Sequence, residues 1–240
     1  MFWNWKASNF RTLLRNDSEI VNFEDEEAEE EAEPMLPIPA KTTPSCPASV
    51  DRYLAQCEKY KTDPNPGVIV SLRFQLPLLR PTKPFHCKDM VPLAEVLIAG
   101  EASHVVTGDF DLSRLRSHGA IVLAQALPCT RWQTLNLRHN PIGGYGAAAL
   151  AAAVGTSTTL THVGLRSCSV GVMGAEAFAA LVVEKKTSSV TSLDLSVNST
   201  GLRGTLCMKA ALALTDGKIK VDMDNNIVLA EVLNSVTHGL

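Results

Sequence analysis

The feature that most constrains this chain is a pattern that returns every 28 residues. Trp132, Leu135, Leu137, Asn140 and Ile142 are followed, each displaced by 28, by Leu160, Val163, Leu165, Cys168 and Val170. The second halves keep the same offset: Gly146, Ala147, Leu150, Ala151 and Val154 match Gly174, Ala175, Phe178, Ala179 and Val182. A third copy lies 30 further on, with Val190, Leu193, Leu195, Asn198, Gly204, Met208 and Leu212, so two residues are expected to be inserted in the loop at 185–189. A strand at 221–226 follows 28 beyond that. Going back by 27 gives a weaker copy: Val105, Gly108, Phe110, Ser113, Leu115, Gly119, Leu123 and Leu127. Residues 72–97 read as a further degenerate unit, with Asp89, Leu93 and Leu97 at an offset of 30.

One unit has a readable physics. Alternation in L-x-L puts both leucines on one face of a short strand. The following asparagine carries a side chain that bonds backbone groups of neighbouring turns, and Cys168 is the weaker-bonding substitute. The glycine aligned at 146, 174 and 204 is expected to free the turn into a helix. Ala147, Leu150, Ala151 and Val154 then form an apolar stripe facing the strand layer. One strand and one helix cannot bury both faces alone, whereas stacked units can.

These residues resemble the leucine-rich repeat in its 28-residue, helix-bearing form. That subclass is typified by ribonuclease inhibitor and shared by NOD-type receptors and many small axonemal and cytoskeletal proteins. The resemblance covers residues 105–240 well and 50–104 loosely. It implies an α/β solenoid of about four to five repeats, with a curved parallel sheet inside and helices outside. It does not imply nuclease inhibition, because ribonuclease inhibitor is far longer and richer in cysteine.

In such a solenoid the residues beside the strand leucines point to the concave face. Three rows are expected, about 4.8 Å apart from unit to unit. They are Thr107, Thr134, His162, Ser192 and Lys220; Asp109, Asn136, Gly164, Asp194 and Asp222; and Asp111, Arg138, Arg166, Ser196 and Asp224. The candidate partner-binding residues are Asp109, Asp111, Asn136, Arg138, His162, Arg166, Asp194, Asp222 and Asp224. Arg138 beside Arg166 is the best candidate for a carboxylate-binding spot. The competing expectation is that Asp111 neutralises Arg138 and Arg166 is simply solvated.

The rest of the chain is organised around this body. Residues 1–50 hold ten acids and four bases; the remaining 190 hold 15 acids and 18 bases. No part carries the large cationic excess of a nucleic-acid binder. Phe2, Trp3, Trp5 and Phe10, with Lys6, Arg11 and Arg15, read as a docking arm; a mitochondrial-type presequence and a plain unstructured start stand as alternatives. Eight acids in the ten residues 24–33 read as an extended or weakly helical solubilising linker, with an electrostatic arm for a basic partner as the alternative, and five prolines between 34 and 47 read as a stiff linker. The folded part is expected to start near Val50, with 51–60 opening an N-terminal cap. Residues 50–104 read as that cap plus the degenerate unit, and 105–240 as the repeats. A half-helix at 227–236 is expected to seal the end.

Chemistry is not written into the motifs. The six histidines have no paired nucleophile, and G-x-S-x-G and the phosphate-loop signature are absent. Gly143, Gly144 and Gly146 suggest a phosphate cradle but fall at a strand-to-helix turn of the repeat. The run DPNPG at 63–67 reads as a turn before a strand. No C-x-x-C pair occurs among the six cysteines, so no zinc site is expected and the thiols read as reduced. No apolar run reaches the roughly 20 residues that a membrane helix needs. The expectation is therefore a non-enzymatic module without cofactor, metal or small-molecule substrate. It binds protein partners, as a structural subunit of an assembly such as a flagellar axoneme or the cytoskeleton, in the cytoplasm. The alternatives are a soluble regulator or inhibitor that captures one partner on the concave face, and a mitochondrial assembly subunit.

Overall fold

The structure is a computed structural model that describes residues 47–184, 189–215 and 219–226. The docking arm and most of its linker at 1–46, most of the loop insertion at 185–188, and the half-helix at 227–236 lie outside the described residues.

Among the described residues, six strands form one parallel sheet in strict chain order: β1 (Leu78–Leu79), β2 (Thr107–Asp109), β3 (Thr134–Asn136), β4 (His162–Gly164), β5 (Ser192–Asp194) and β6 (Lys220–Asp222). Helices α4 (Ser117–Ala126), α5 (Gly143–Thr156), α6 (Gly171–Glu184) and α7 (Gly201–Ala213) follow β2 to β5, each packed on its neighbour. Ahead of them come α1 (Ala48–Tyr60), α2 (Pro66–Arg73) and α3 (Met90–Ile98). Four complete strand–helix units thus stack on a fifth made of β1 and α3. Pairing joins Gly108, Leu135, Val163, Leu193 and Val221 in one row, the row the repeat offsets require.

The strand residues of that row and the helix stripes meet in one core. Leu135, Leu137, Leu150, Leu165, Phe178 and Leu195 are fully enclosed. Each unit contributes a few such side chains, worth roughly 1.5–3 kcal/mol apiece when buried.

The glycine expectation is corrected. Gly146, Gly174 and Gly204 do not make the turn. They sit in the first helical turn, where a Cβ would come within 2.6, 2.4 and 2.9 Å of Ile142, Val170 and Thr200, and within 3.1, 2.7 and 3.1 Å of Ala120, Ala147 and Ala175. Their job is close approach of consecutive helices. The turn itself is made by Gly143, Gly171 and Gly201, at φ 70°, 62° and 64°. This also accounts for the apparent phosphate cradle, since Gly143 turns the chain and Gly146 packs it.

Two further corrections concern the N-terminal part. The run at 63–67 opens a helix, not a strand. Asn65 caps α2, its side chain accepting from the Gly67 N–H at 3.1 Å, and Pro66 sits in the first turn. Asparagine before proline is a helix-start signal. The degenerate unit also contains a strand, β1, which the repeat offsets do not mark. Its apolar position, Leu79, pairs with Gly108.

Gly108 stands where later units carry Leu or Val because Trp132 fills its space. A Cβ on Gly108 would lie 2.5 Å from the indole ring. Trp132 continues an aromatic stack with Phe110 and Phe85, centroids 6.0 Å apart at each step. The few aromatics of the repeat body are thus concentrated at its N-terminal side.

The asparagine positions behave as the repeat implies. Asn198 Oδ1 accepts from the Cys168 and Val170 amides, and Asn226 Oδ1 from the Asn198 and Thr200 amides. Their Nδ2 groups donate to Leu165 and Leu195 carbonyls at 2.6 and 2.8 Å. Asn140 Oδ1 takes the Leu115 amide at 2.8 Å. Each buried side chain thereby pairs loop groups that water cannot reach. Cys168 holds only the donor half of this role, its thiol donating to Leu137 O at 2.9 Å. Burial pushes that thiol up to about 12, opposed by a hydrogen bond from the Asn140 backbone.

Candidate functional site

The face of the sheet opposite the helices is built from the residues that alternate with the core row. Backbone pairing places Thr107, Thr134, His162, Ser192 and Lys220 side by side, and beside them Asp109, Asn136, Gly164, Asp194 and Asp222. Beyond the strands the register continues, since the Leu112, His139, Ser167 and Val197 amides donate to the carbonyls of Arg138, Arg166, Ser196 and Asp224. All three expected rows exist. β1 extends them, with Leu78 beside Thr107.

Most of the second row already has structural work. Asp109, Asn136, Asp194 and Asp222 each accept, through Oδ1, the amide two residues on, at 3.3, 3.2, 3.0 and 2.9 Å. This turn locks the strand end into the loop. The signal was present in sequence as an Asp or Asn two residues before the third row. Gly164 is the exception and leaves a notch.

Arg138 lies across that notch. Its Nη2 reaches Asp194 Oδ2 at 3.0 Å, passing over β4. A Cβ on Gly164 would stand 3.4 Å from Arg138 Nε. The expectation that Asp111 neutralises Arg138 is therefore corrected: Asp111 instead faces His139 Nδ1 at 2.9 Å. Arg166 donates to Ser196 Oγ at 3.0 Å, and Ser196 Oγ donates to Asp194 Oδ1 at 2.6 Å. Both arginines are thus tied to one carboxylate, Arg138 directly and Arg166 through a hydroxyl. The Asp194 carboxylate offsets the like charges of the two arginines.

What remains for a partner is narrower than the row of candidates suggests. Arg166 has no carboxylate partner among the described residues, and Lys220 has none either. His162 shares its Nδ1 with the Thr161 hydroxyl at 2.8 Å. Asp224 makes no side-chain bond among the described residues. Asn136 Nδ2 is spent on Asp109 Oδ1 at 2.8 Å. Thr134, Asn136, Arg138, His162, Gly164 and Asp194 line a shallow depression of about 360 Å³. The arm residues Phe2, Trp3, Trp5 and Phe10 lie outside the described residues.

Among the described residues no cluster of His, Cys, Asp and Glu has metal-site geometry, and no helix is long and apolar enough to cross a membrane. Cys57, Cys87, Cys129, Cys168 and Cys207 are free thiols.

A family model described as Leucine Rich repeat matches residues 133–151, which span β3 and the first nine residues of α5. A search of curated proteins finds none that matches the chain. The matched stretch lies within one unit of the stack, and the same register recurs from β2 to β6. The fold of this chain is a leucine-rich-repeat solenoid, an α/β stack with a parallel sheet on one side and helices on the other.

Proposed function

We propose that the chain is a protein-interaction module whose partner docks on the open face of the sheet. The observation that carries this reading is the state of that face. Its rows are in register across β2 to β6, its carboxylates are mostly committed to turns, and among the described residues Arg166 and Lys220 have no carboxylate partner. A regular display of polar side chains on a stiff backbone favours recognition of an extended surface over chemistry.

The setting we favour is a structural subunit of a larger assembly, cytoskeletal or flagellar, in the cytoplasm. What supports it is the resemblance of the repeat to that of small axonemal and cytoskeletal proteins, together with the aromatic arm and acidic linker at 1–49. Co-purification with a tagged full-length chain tests both parts. Arg166→Glu with Lys220→Glu is expected to abolish partner capture. Deletion of 1–47 is expected to release the chain from an assembly while leaving capture of a face-bound partner intact. Retention in the assembly after the deletion would overturn the role given to the arm. Mass spectrometry that recovers unprocessed Met1 would remove the presequence alternative.

A further inference from the structure

At the N-terminal end of the sheet the polar face gives way to an apolar groove. Leu76, Leu78 and Arg80 line one side and Pro66, Val70 and Ser71 of α2 the other, around a volume of about 250 Å³. Val70, Leu76 and Leu78 are 45%, 39% and 41% exposed, with Phe74 next to them at 65%. Isolated apolar side chains on a surface are ordinary; here three partly exposed ones, Val70, Leu76 and Leu78, line the same groove.

The groove is held open. Leu76 N–H donates to Ser71 O at 3.0 Å at one end. At the other, Gly67 N–H donates to Thr82 Oγ1 at 3.1 Å and Thr82 N–H to Asn65 Oδ1 at 3.0 Å. Gly67 fits only as glycine, since a Cβ would lie 2.1 Å from Arg80 O. With both ends of α2 pinned to the strand segment, the middle cannot close on itself.

Charge says what fits. Among the described residues that line the groove, Arg80 is the charged one. It is loosely held: Nε is 3.6 Å from Asp109 Oδ2, while Asp109 Oδ1 is engaged by Asn136 and the Asp111 amide. Lys83, exposed, follows directly on the lining residue Thr82.

We propose that this groove is the anchor of the docking face, taking an apolar side chain from an extended segment of the partner protein while a neighbouring carboxylate of that segment pairs with Arg80. The proposal rests on the open face being the docking surface, because Leu78 lies in the same row as Thr107 and Thr134. A rigid, pre-formed apolar slot beside a cation gives one side chain most of the binding energy, as at other interface anchors.

The test is selection of a displayed random 12-residue peptide library on the full chain. Enriched clones are expected to carry an aliphatic or aromatic residue beside Asp or Glu. Their affinity is expected to fall at least tenfold on Leu78→Ser, on Val70→Ser and on Arg80→Glu, in variants whose thermal melts match the parent. Absence of enrichment, enrichment of basic peptides, or affinity unchanged in those three variants would overturn the proposal. Peptides lost on Arg166→Glu but kept on Arg80→Glu would sink the groove and leave the open-face reading standing. Loss at the groove variants with normal partner capture by Arg166→Glu plus Lys220→Glu would sink the open-face reading instead.

Discussion

Arg138 and Asp194 meet at 3.0 Å although β4 runs between the strands that carry them. The meeting depends on Gly164, the unit position that lacks a side chain. It turns a row of independent surface residues into a cross-strand network that reaches Arg166 through Ser196.

That network predicts a small, measurable coupling. A double-mutant cycle of Arg138→Ala and Asp194→Asn, followed by urea denaturation, is expected to give about 0.2–1 kcal/mol, because Arg138 is half exposed. The coupling is expected to shrink in 1 M salt. Gly164→Val is expected to abolish it by displacing the guanidinium. A coupling unaffected by Gly164→Val would mean the glycine is not what permits the bridge.

Cys168→Asn is expected to stabilise the protein by about 1 kcal/mol, the net worth of a hydrogen bond gained. The asparagines of the next two units show that the site type accommodates the larger side chain.

The same position predicts a pH effect. The Cys168 thiol is raised from 9.0 to about 12 by burial. Above pH 9 the unfolded chain gives up this proton and the folded chain keeps it, so stability falls as pH rises from about 9 toward 12, by about 1.4 kcal/mol per unit for one group. Cys57 and Tyr53, both also raised by burial, act in the same direction. Thermal melts from pH 8 to 11 are expected to show a shallower alkaline loss in Cys168→Asn. Identical slopes would refute the assignment to Cys168.

Val197 sits at φ 58°, in register with Leu112, His139, Ser167 and Asn225, all left-handed. A β-branched residue is poorly suited to this region. Val197→Asn is expected to raise stability by about 1–2 kcal/mol while preserving the amide bond to Asp224 O. Val197→Ile, which keeps the strain, is expected to change little.

Trp132 and Gly108 form a matched pair. Trp132→Leu alone is expected to cost about 3 kcal/mol or more, since it opens a cavity above a residue with no side chain. Gly108→Leu alone clashes with the indole. The double variant, which restores the ordinary unit, is expected to recover part of the loss. Calorimetry of the four proteins measures the coupling.

Much of this molecule is legible one residue at a time. The strand leucines, the helix stripes, the asparagine turns and the three surface rows follow from an offset near 28, because a stacked repeat puts equivalent residues side by side whatever their neighbours are. The strand at Leu78–Leu79 escaped because two residues are too few to show alternation. At 63–67 the turn-forming residues are also a helix start, because Asn65 caps the first turn and Pro66 suits it. What tertiary structure alone settled are the relations between units. Asp194 and not Asp111 takes Arg138, because a missing side chain on the intervening strand opened the path. Gly108 is glycine because an indole arrives from 24 residues further on. Gly146 packs helices while Gly143 turns the chain. Periodicity assigns each residue a face; which neighbour it meets there depends on the volume and charge of side chains that only the stacked fold brings together.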